Sequence, residues 1–215
     1  MRVPKLPDPP SVEVIRGIAP AVKKLPAGTS LARVYFTGGD YPTHWNEFRH
    51  YGPTGARFDH HLPPAQGEPF SQARSILYCA AAADTCLAEV FQETRRINRT
   101  RRAPWMAIFV LQKDVDLLDL TGAFATRIGA SMAINTSSRA RAREWAKIFY
   151  DAYDALHGIY YPSSMNGNEP AVALTDRAEQ FDCLPNHPDL NRALADDVLL
   201  DILKWSAARL RYGLL

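Results

Sequence analysis

Residues 75 to 89 read SILYCAAAADTCLAE. Ser75 to Ala80 is an apolar run of strand length, and it passes through small residues into a segment with helical spacing. Asp84 or Thr85 supplies a short oxygen side chain that can accept from the orphan N–H groups of a first turn, so a helix is expected from there to about Ile97. At 100° per residue Leu87, Val90, Phe91 and Thr94 fall on one side, whereas Glu89 falls with Cys86 and Glu93 on the other. A carboxylate therefore stands off the expected core stripe. It is a solvated surface group unless other segments bring it partners.

The surrounding sequence sets this junction in a mixed fold. Upstream, LARVYF at 31 to 36 predicts a strand, and SVEVIRGIA a short helix ending before Pro20. Residues 37 to 74 carry Gly38-Gly39, Gly52-Pro53, Gly55, Pro63-Pro64 and Gly67, and they read as a long pocket-forming loop. Downstream, WMAIFVL and VDLLDL predict two strands around a Lys113-Asp114 turn. SRARAREWAKIFYDAYDAL has helical spacing, with Trp145, Ile148, Phe149, Ala152 and Tyr153 on one stripe. Short strands are expected at Ile159 to Pro162 and Ala171 to Leu174, on either side of the polar loop SSMNGN. From Pro188 onward, Leu190, Leu194, Val198, Ile202 and Trp205 recur at helical intervals. Strands and helices mix without βαβ alternation. This predicts an α+β domain with a central, mostly antiparallel sheet and flanking helices. Its parts are a lead-in over 1 to 30, a main body over 31 to 180, and an amphipathic helix over 181 to 215 packed on the same domain.

Composition bounds the function. A chain of 215 residues that is 47% hydrophobic and 22% charged suits one domain with a sizeable core. No long uncharged apolar run suits a bilayer, and MRVPKLPDPP lacks a secretory apolar stretch, so a cytoplasmic protein without membrane contact is expected. Cys79, Cys86 and Cys183 have neither disulfide nor zinc spacing and read as small buried hydrophobes. A net charge of +2 is too slight to predict nucleic-acid binding. Arg95, Arg96, Arg99, Arg101 and Arg102 read as a solvated helix end or a contact for an acidic partner, since only Trp105 lies near for base stacking. There is no GxGxxG, no P-loop and no GxSxG elbow. His60 and His61 are adjacent on an extended segment and point opposite ways, so no metal site is expected.

Four elements in order carry a more specific signal: Gly55-Ala56-Arg57-Phe58-Asp59, Tyr78 at a strand end, Glu89 in the following helix, and Pro162-Ser163 after a short strand. Together they resemble the RES-domain family, over most of Arg33 to Leu174. That resemblance implies a compact domain similar to ADP-ribosyltransferases that binds NAD+ in a cleft and attacks its nicotinamide N-glycosidic bond. It implies a toxin neutralised by an Xre-like antitoxin protein. NAD+ is then the substrate, with phosphate or water as the attacking group and no further cofactor.

The residue types suit that chemistry. Loss of nicotinamide leaves an oxocarbenium-like ribose, which a carboxylate, here Glu89, stabilises. Arg57 offers a planar fork to a pyrophosphate, and Arg33 a further phosphate contact. Tyr78 offers an aromatic face to the cationic ring. Ser163 offers a hydrogen bond at the nicotinamide amide or its ribose. TRIGASMAIN, with Arg127, Gly129, Ser131 and Asn135, is expected to line the same cleft. Asp59 would repel a phosphate unless its carboxylate points away. Taken singly, Arg57 also suits an ion pair with Asp59, Tyr78 a core position, and Ser163 a turn. Two other readings stay open: a non-catalytic interaction module using the arginine clusters and the RLRYGLL tail, and a protein-modifying ADP-ribosyltransferase. Self-association is also left open.

Overall fold

The computed structural model describes residues 4 to 215. Its centre is a nine-stranded sheet. From one edge, β1 (Val22–Leu25) pairs antiparallel with β7 (Val115–Asp119), which runs parallel to β8 (Gly158–Pro162). The order continues through β9 (Pro170–Thr175), β4 (Phe70–Ala80), β2 (Ser30–Phe36), β6 (Pro104–Val110) and β10 (Leu190–Ala193), all antiparallel. β3 (Arg49–Gly52) lies beside β4, off this path. A short parallel pair joins β5 (Arg96–Ile97) to β11 (Gly213–Leu214). The chain is thus a single α+β domain with a mostly antiparallel sheet.

The strands are buried on both faces because alternate side chains serve two cores. Leu31, Tyr35, Leu77, Cys79, Phe109 and Val172 point to one side. Ala32, Val34, Ile76, Ala80, Met106 and Ala173 point to the other, as the two-residue period of a strand requires. The first core lies under the segment carrying Trp45 and Phe48 and under α6 (Asp176–Gln180). The second lies under α2 (Ala83–Val90), α5 (Arg139–Ala152) and α7 (Leu200–Leu210), with α3 (Phe124–Arg127) and α4 (Ala133–Thr136) beside α5. Gly158 permits the tight β8–β9 contact: a Cβ there would lie 2.2 Å from the Ala173 carbonyl oxygen.

Several expectations need correction. The segment before residue 30 is part of the domain, because β1 extends the sheet, Ile15 of α1 (Val12–Arg16) is fully buried and Trp145 Nε1 donates to Pro7 O at 3.0 Å. The presumed loop contains β3 and the first residues of β4. Helix α2 begins at Ala83 with no side-chain cap and ends at Val90 rather than near Ile97. Asp84 instead faces Arg209 Nε of α7 at 3.3 Å, and Thr85 Oγ1 accepts from Asn166 Nδ2 at 2.9 Å.

The C-terminal segment departs most. Leu190 lies in β10, a short helical turn spans Asp197 to Leu199, and the α7 face against the core carries Leu203, Ser206 and Ala207. Val198, Ile202 and Trp205 of the expected stripe stay 71, 48 and 59% exposed. The arginine run is not a helix end either. Arg99 ties the β5 region to Leu194 O, Ala195 O and Asp197, while Arg102 turns to the site described next.

Candidate active site

The site exists because two central strands part. β2 and β4 pair at only one position, Ala32 with Ala80. Further along β4, that edge is taken by β3, with Arg49 opposite Ile76 and Tyr51 opposite Ser71. Between the diverging β2 and the β3–β4 pair opens a cleft of about 540 Å³. Ala32–Ala80 marks its closed end and Phe36 its open end. Four residue steps separate Ala32 from Phe36, about 13 Å of extended chain.

Glu89 lies in this cleft beside the closed end, on the last turn of α2. The wheel correctly set it apart from Leu87 and Phe91, but Cys86 is buried, with its thiol on Ala32 O at 3.0 Å, and Val90 is 36% exposed. Glu89 Oε1 accepts from the Ser163 hydroxyl at 2.5 Å. Ser163 is itself fully buried, and its oxygen accepts from the N–H groups of Met165 and Asn166 at 3.2 Å each. The β8–β9 loop thereby orients the serine proton toward the carboxylate. Ser163 reaches the cleft through Glu89, and its neighbour Ser164 is the serine on the cleft wall.

The TGARFD segment divides its residues between cleft and interior. Phe58 sits at φ 62°, a left-handed conformation costing a non-glycine residue about 1–2 kcal/mol, and its ring is buried 4.9 Å from that of Tyr161. On one side of this reversal Arg57 faces the cleft and donates to Ile134 O at 3.0 Å. On the other, Asp59 is fully buried and points away from the cleft. Its carboxylate accepts from Arg49 Nη2 at 2.9 Å, from the Thr54 N–H at 2.7 Å and hydroxyl at 2.8 Å, and from His61 Nδ1 at 2.5 Å. Burial alone would raise its pKa, but the His61 hydrogen bond, the Arg49 charge and the Thr54 N–H together hold it well below the usual carboxylate range. Arg49 and Thr54, held by Asp59, both line the cleft.

The remaining wall is cationic and aromatic. Arg33 is 8% exposed and donates to Glu47 O at 3.1 Å, and burial lowers its pKa to about 10. Burial, then the nearby Arg139 charge, also lowers that of Arg57, against the pull of Glu89. Tyr78 donates to Arg57 O at 2.8 Å, and burial pushes its phenol far up, as it does for Tyr161. Both tyrosines are therefore neutral at physiological pH. Arg139, at the head of α5, donates to Gln92 Oε1 at 2.6 Å. Among the described residues, Arg33, Arg49, Arg57, Arg102 and Arg139 line the cleft and Glu89 is the one acidic side chain there. A mixed ring of arginines and aromatics around a single carboxylate suits an anionic ligand with a cationic reacting group.

The structure thus brings Arg33, Arg57, Tyr78 and Glu89 to one cleft, with Ser163 behind Glu89. Asn135 joins them from TRIGASMAIN. Arg127 and Ser131 do not: Arg127 is exposed and packs on Phe124, and the Ser131 hydroxyl donates to Lys5 O. Both serve the N-terminal segment. Arg49, Arg139, Tyr41 and Tyr161 line the cleft without having stood out in the sequence, and Arg102 lines it although the arginine run read as a solvated helix end or a contact for an acidic partner. The signal available for Arg139 was its place at the start of a basic helix. His60 and His61 are both buried, the first stacked on Tyr150 at 4.5 Å and the second on Asp59.

The RES domain family profile matches residues 30 to 196. The chain therefore belongs to the RES-domain family. Among curated proteins there is no match. Among solved structures it is similar to a chain of the crystal structure of the M. tuberculosis MbcT-MbcA toxin-antitoxin complex, at 15% identity and a TM-score of 0.53. The similarity covers 86% of this chain and 92% of that one.

Proposed function

We propose that this protein cleaves the nicotinamide N-glycosidic bond of NAD+ and acts as the toxin of a toxin–antitoxin pair. The observation that carries the reading is the buried Ser163 hydroxyl holding Glu89 at the closed end of a cleft whose other charged side chains are arginines. RES-domain membership and the likeness to a chain of a toxin–antitoxin complex support it.

In this reading Arg57 and Arg33 take the pyrophosphate through charge-assisted hydrogen bonds, and Tyr78 and Tyr161 face the nicotinamide end. Glu89 lies against the ribose. As the C1′–N bond breaks, its electron pair leaves with nicotinamide and positive charge develops on the sugar, where the Glu89 carboxylate stabilises it. Ser163 holds the carboxylate in place, so no reorganisation is needed when that charge appears. Water attacking C1′ gives ADP-ribose and a proton. Inorganic phosphate attacking C1′ gives ADP-ribose 1″-phosphate. The proposed setting is the cytoplasm, and the proposed partner is an Xre-like antitoxin that occludes the cleft. Among the described residues, no helix is long and apolar enough to cross a membrane.

The test is to incubate the purified chain with NAD+, with and without phosphate, and to follow products by chromatography. Nicotinamide release is expected, and the sugar product identifies the attacking group. A folded wild-type chain that releases no nicotinamide under either condition contradicts the reading.

A further inference from the structure

We propose that Arg102 and Tyr41 form an adenylate subsite at the open end of the cleft. The inference rests on the dinucleotide reading above and assigns the half of the substrate remote from Glu89.

Arg102 is held as a fixed cation. Its guanidinium lies 4.5 Å from the centroid of Phe36, the last residue of β2. Its backbone is left-handed at φ 64°, and Ala103 follows at φ 45°. Two successive non-glycine residues in that region are costly. Flanking bonds maintain them: Gly38 N–H donates to Arg102 O at 3.1 Å, and Thr37 N–H to Ala103 O at 3.0 Å. Gly39, at φ 92°, lets the side chain cross, since a Cβ there would lie 3.0 Å from Arg102 Nε. Among the described residues, the guanidinium has neither a hydrogen-bond acceptor nor a carboxylate within ion-pair reach. Arg49, Arg99 and Arg139 differ, each contacting a carboxylate.

Tyr41, 69% exposed and stacked on Tyr51 at 6.1 Å, lines the same cleft from the short loop between Gly39, which the Arg102 side chain crosses, and Thr43, whose N–H donates to Phe36 O at 2.7 Å. A braced guanidinium with free donors and an exposed aromatic ring in the adjoining loop suit a phosphorylated base, with adenine on Tyr41, the adenine-side phosphate of the pyrophosphate on Arg102, and its nicotinamide-side phosphate left to Arg57 and Arg33. The 13 Å or so from Ala32 to Phe36 separates this pair from the closed end of the cleft, as a ligand with two nucleotide halves requires.

Calorimetric titration with 5′-AMP tests the subsite without any cleavage step. Wild type is expected to bind it, and Arg102→Ala and Tyr41→Ala each to weaken binding by about tenfold, the effect of 1.4 kcal/mol. In parallel, Arg102→Ala is expected to reduce the preference for NAD+ over nicotinamide mononucleotide by a similar factor. Wild type that does not bind 5′-AMP, or an Arg102→Ala chain that binds it equally, overturns the proposal. Absence of nicotinamide release from NAD+ overturns the cleavage reading instead, and the 5′-AMP titration still decides the subsite.

Discussion

The Ser163 hydroxyl and the Glu89 carboxylate, 74 residues apart, share a 2.5 Å hydrogen bond that joins the β8–β9 loop to the last turn of α2. The serine oxygen also accepts two backbone N–H groups, so its proton has one direction to point. Ser163→Ala should therefore act on the rate more than on substrate binding. A hydrogen bond to a charged group is worth about 1.5–3 kcal/mol, which predicts a fall in kcat of about 10- to 100-fold with a smaller change in KM. Steady-state kinetics check this. Loss of an acceptor for the buried Asn166 N–H should also lower unfolding stability by about 1–3 kcal/mol in urea.

Asp59 predicts a pH dependence of stability. Its folded pKa is depressed, so its contribution is fully present above the unfolded value of about 3.9 and is lost as pH falls from there toward the folded value. Urea midpoints measured from pH 5 down to pH 2 should decline, and Asp59→Asn should flatten that decline. At neutral pH the substitution leaves Arg49 and His61 without their carboxylate and should cost about 3–5 kcal/mol.

Arg33 predicts a separation of function from stability. Burial opposes its charge, and its one hydrogen bond goes to a backbone carbonyl. Arg33→Met keeps the volume and removes the desolvation cost, so stability should stay within about 1 kcal/mol of wild type or rise. The KM for NAD+ should rise about tenfold or more with the lost phosphate contact. Denaturation and kinetics on one preparation test both halves.

The three cysteines are free and buried, and burial pushes the thiols of Cys86 and Cys183 up to about 12 and about 11. At pH 8 the native protein should resist alkylation, and all three thiols should react once the chain is denatured. Rapid labelling of the native chain would show that the core opens locally.

The legible parts of this fold were those where apolar period and burial coincide. LARVYF, WMAIFVL, VDLLDL and the α5 stripe carry large side chains at the spacing of their own element, and each forms as expected. β10, LNRA, has no such pattern and is a strand because the β6 edge lies open to it. The polar start of β4 is likewise fixed by β3 rather than by its own residues. On α7 the largest apolar residues face solvent, because Leu203 and Ala207 with Ser206 fit the core beside α2. The site was legible where family motifs mark it. Glu89 was visible as an off-stripe carboxylate, but only the tertiary fold shows that its partner is Ser163. Arg49 had no local signal, and neither the arginine run that holds Arg102 nor the basic helix that Arg139 begins pointed to the cleft, since the parting of β2 from β4 brings the three together. Asp59, a repulsive neighbour in the sequence, becomes the anchor of the segment once Phe58 reverses the chain.

The central claim is that Glu89 stabilises the sugar as the N-glycosidic bond breaks. It is tested most directly by Glu89→Gln, with nicotinamide release and NAD+ affinity measured on the same folded protein. Release is expected to fall by at least about 100-fold while NAD+ still binds within about tenfold of wild type, because the arginine wall is intact. Release at the wild-type rate from the Gln variant would contradict it.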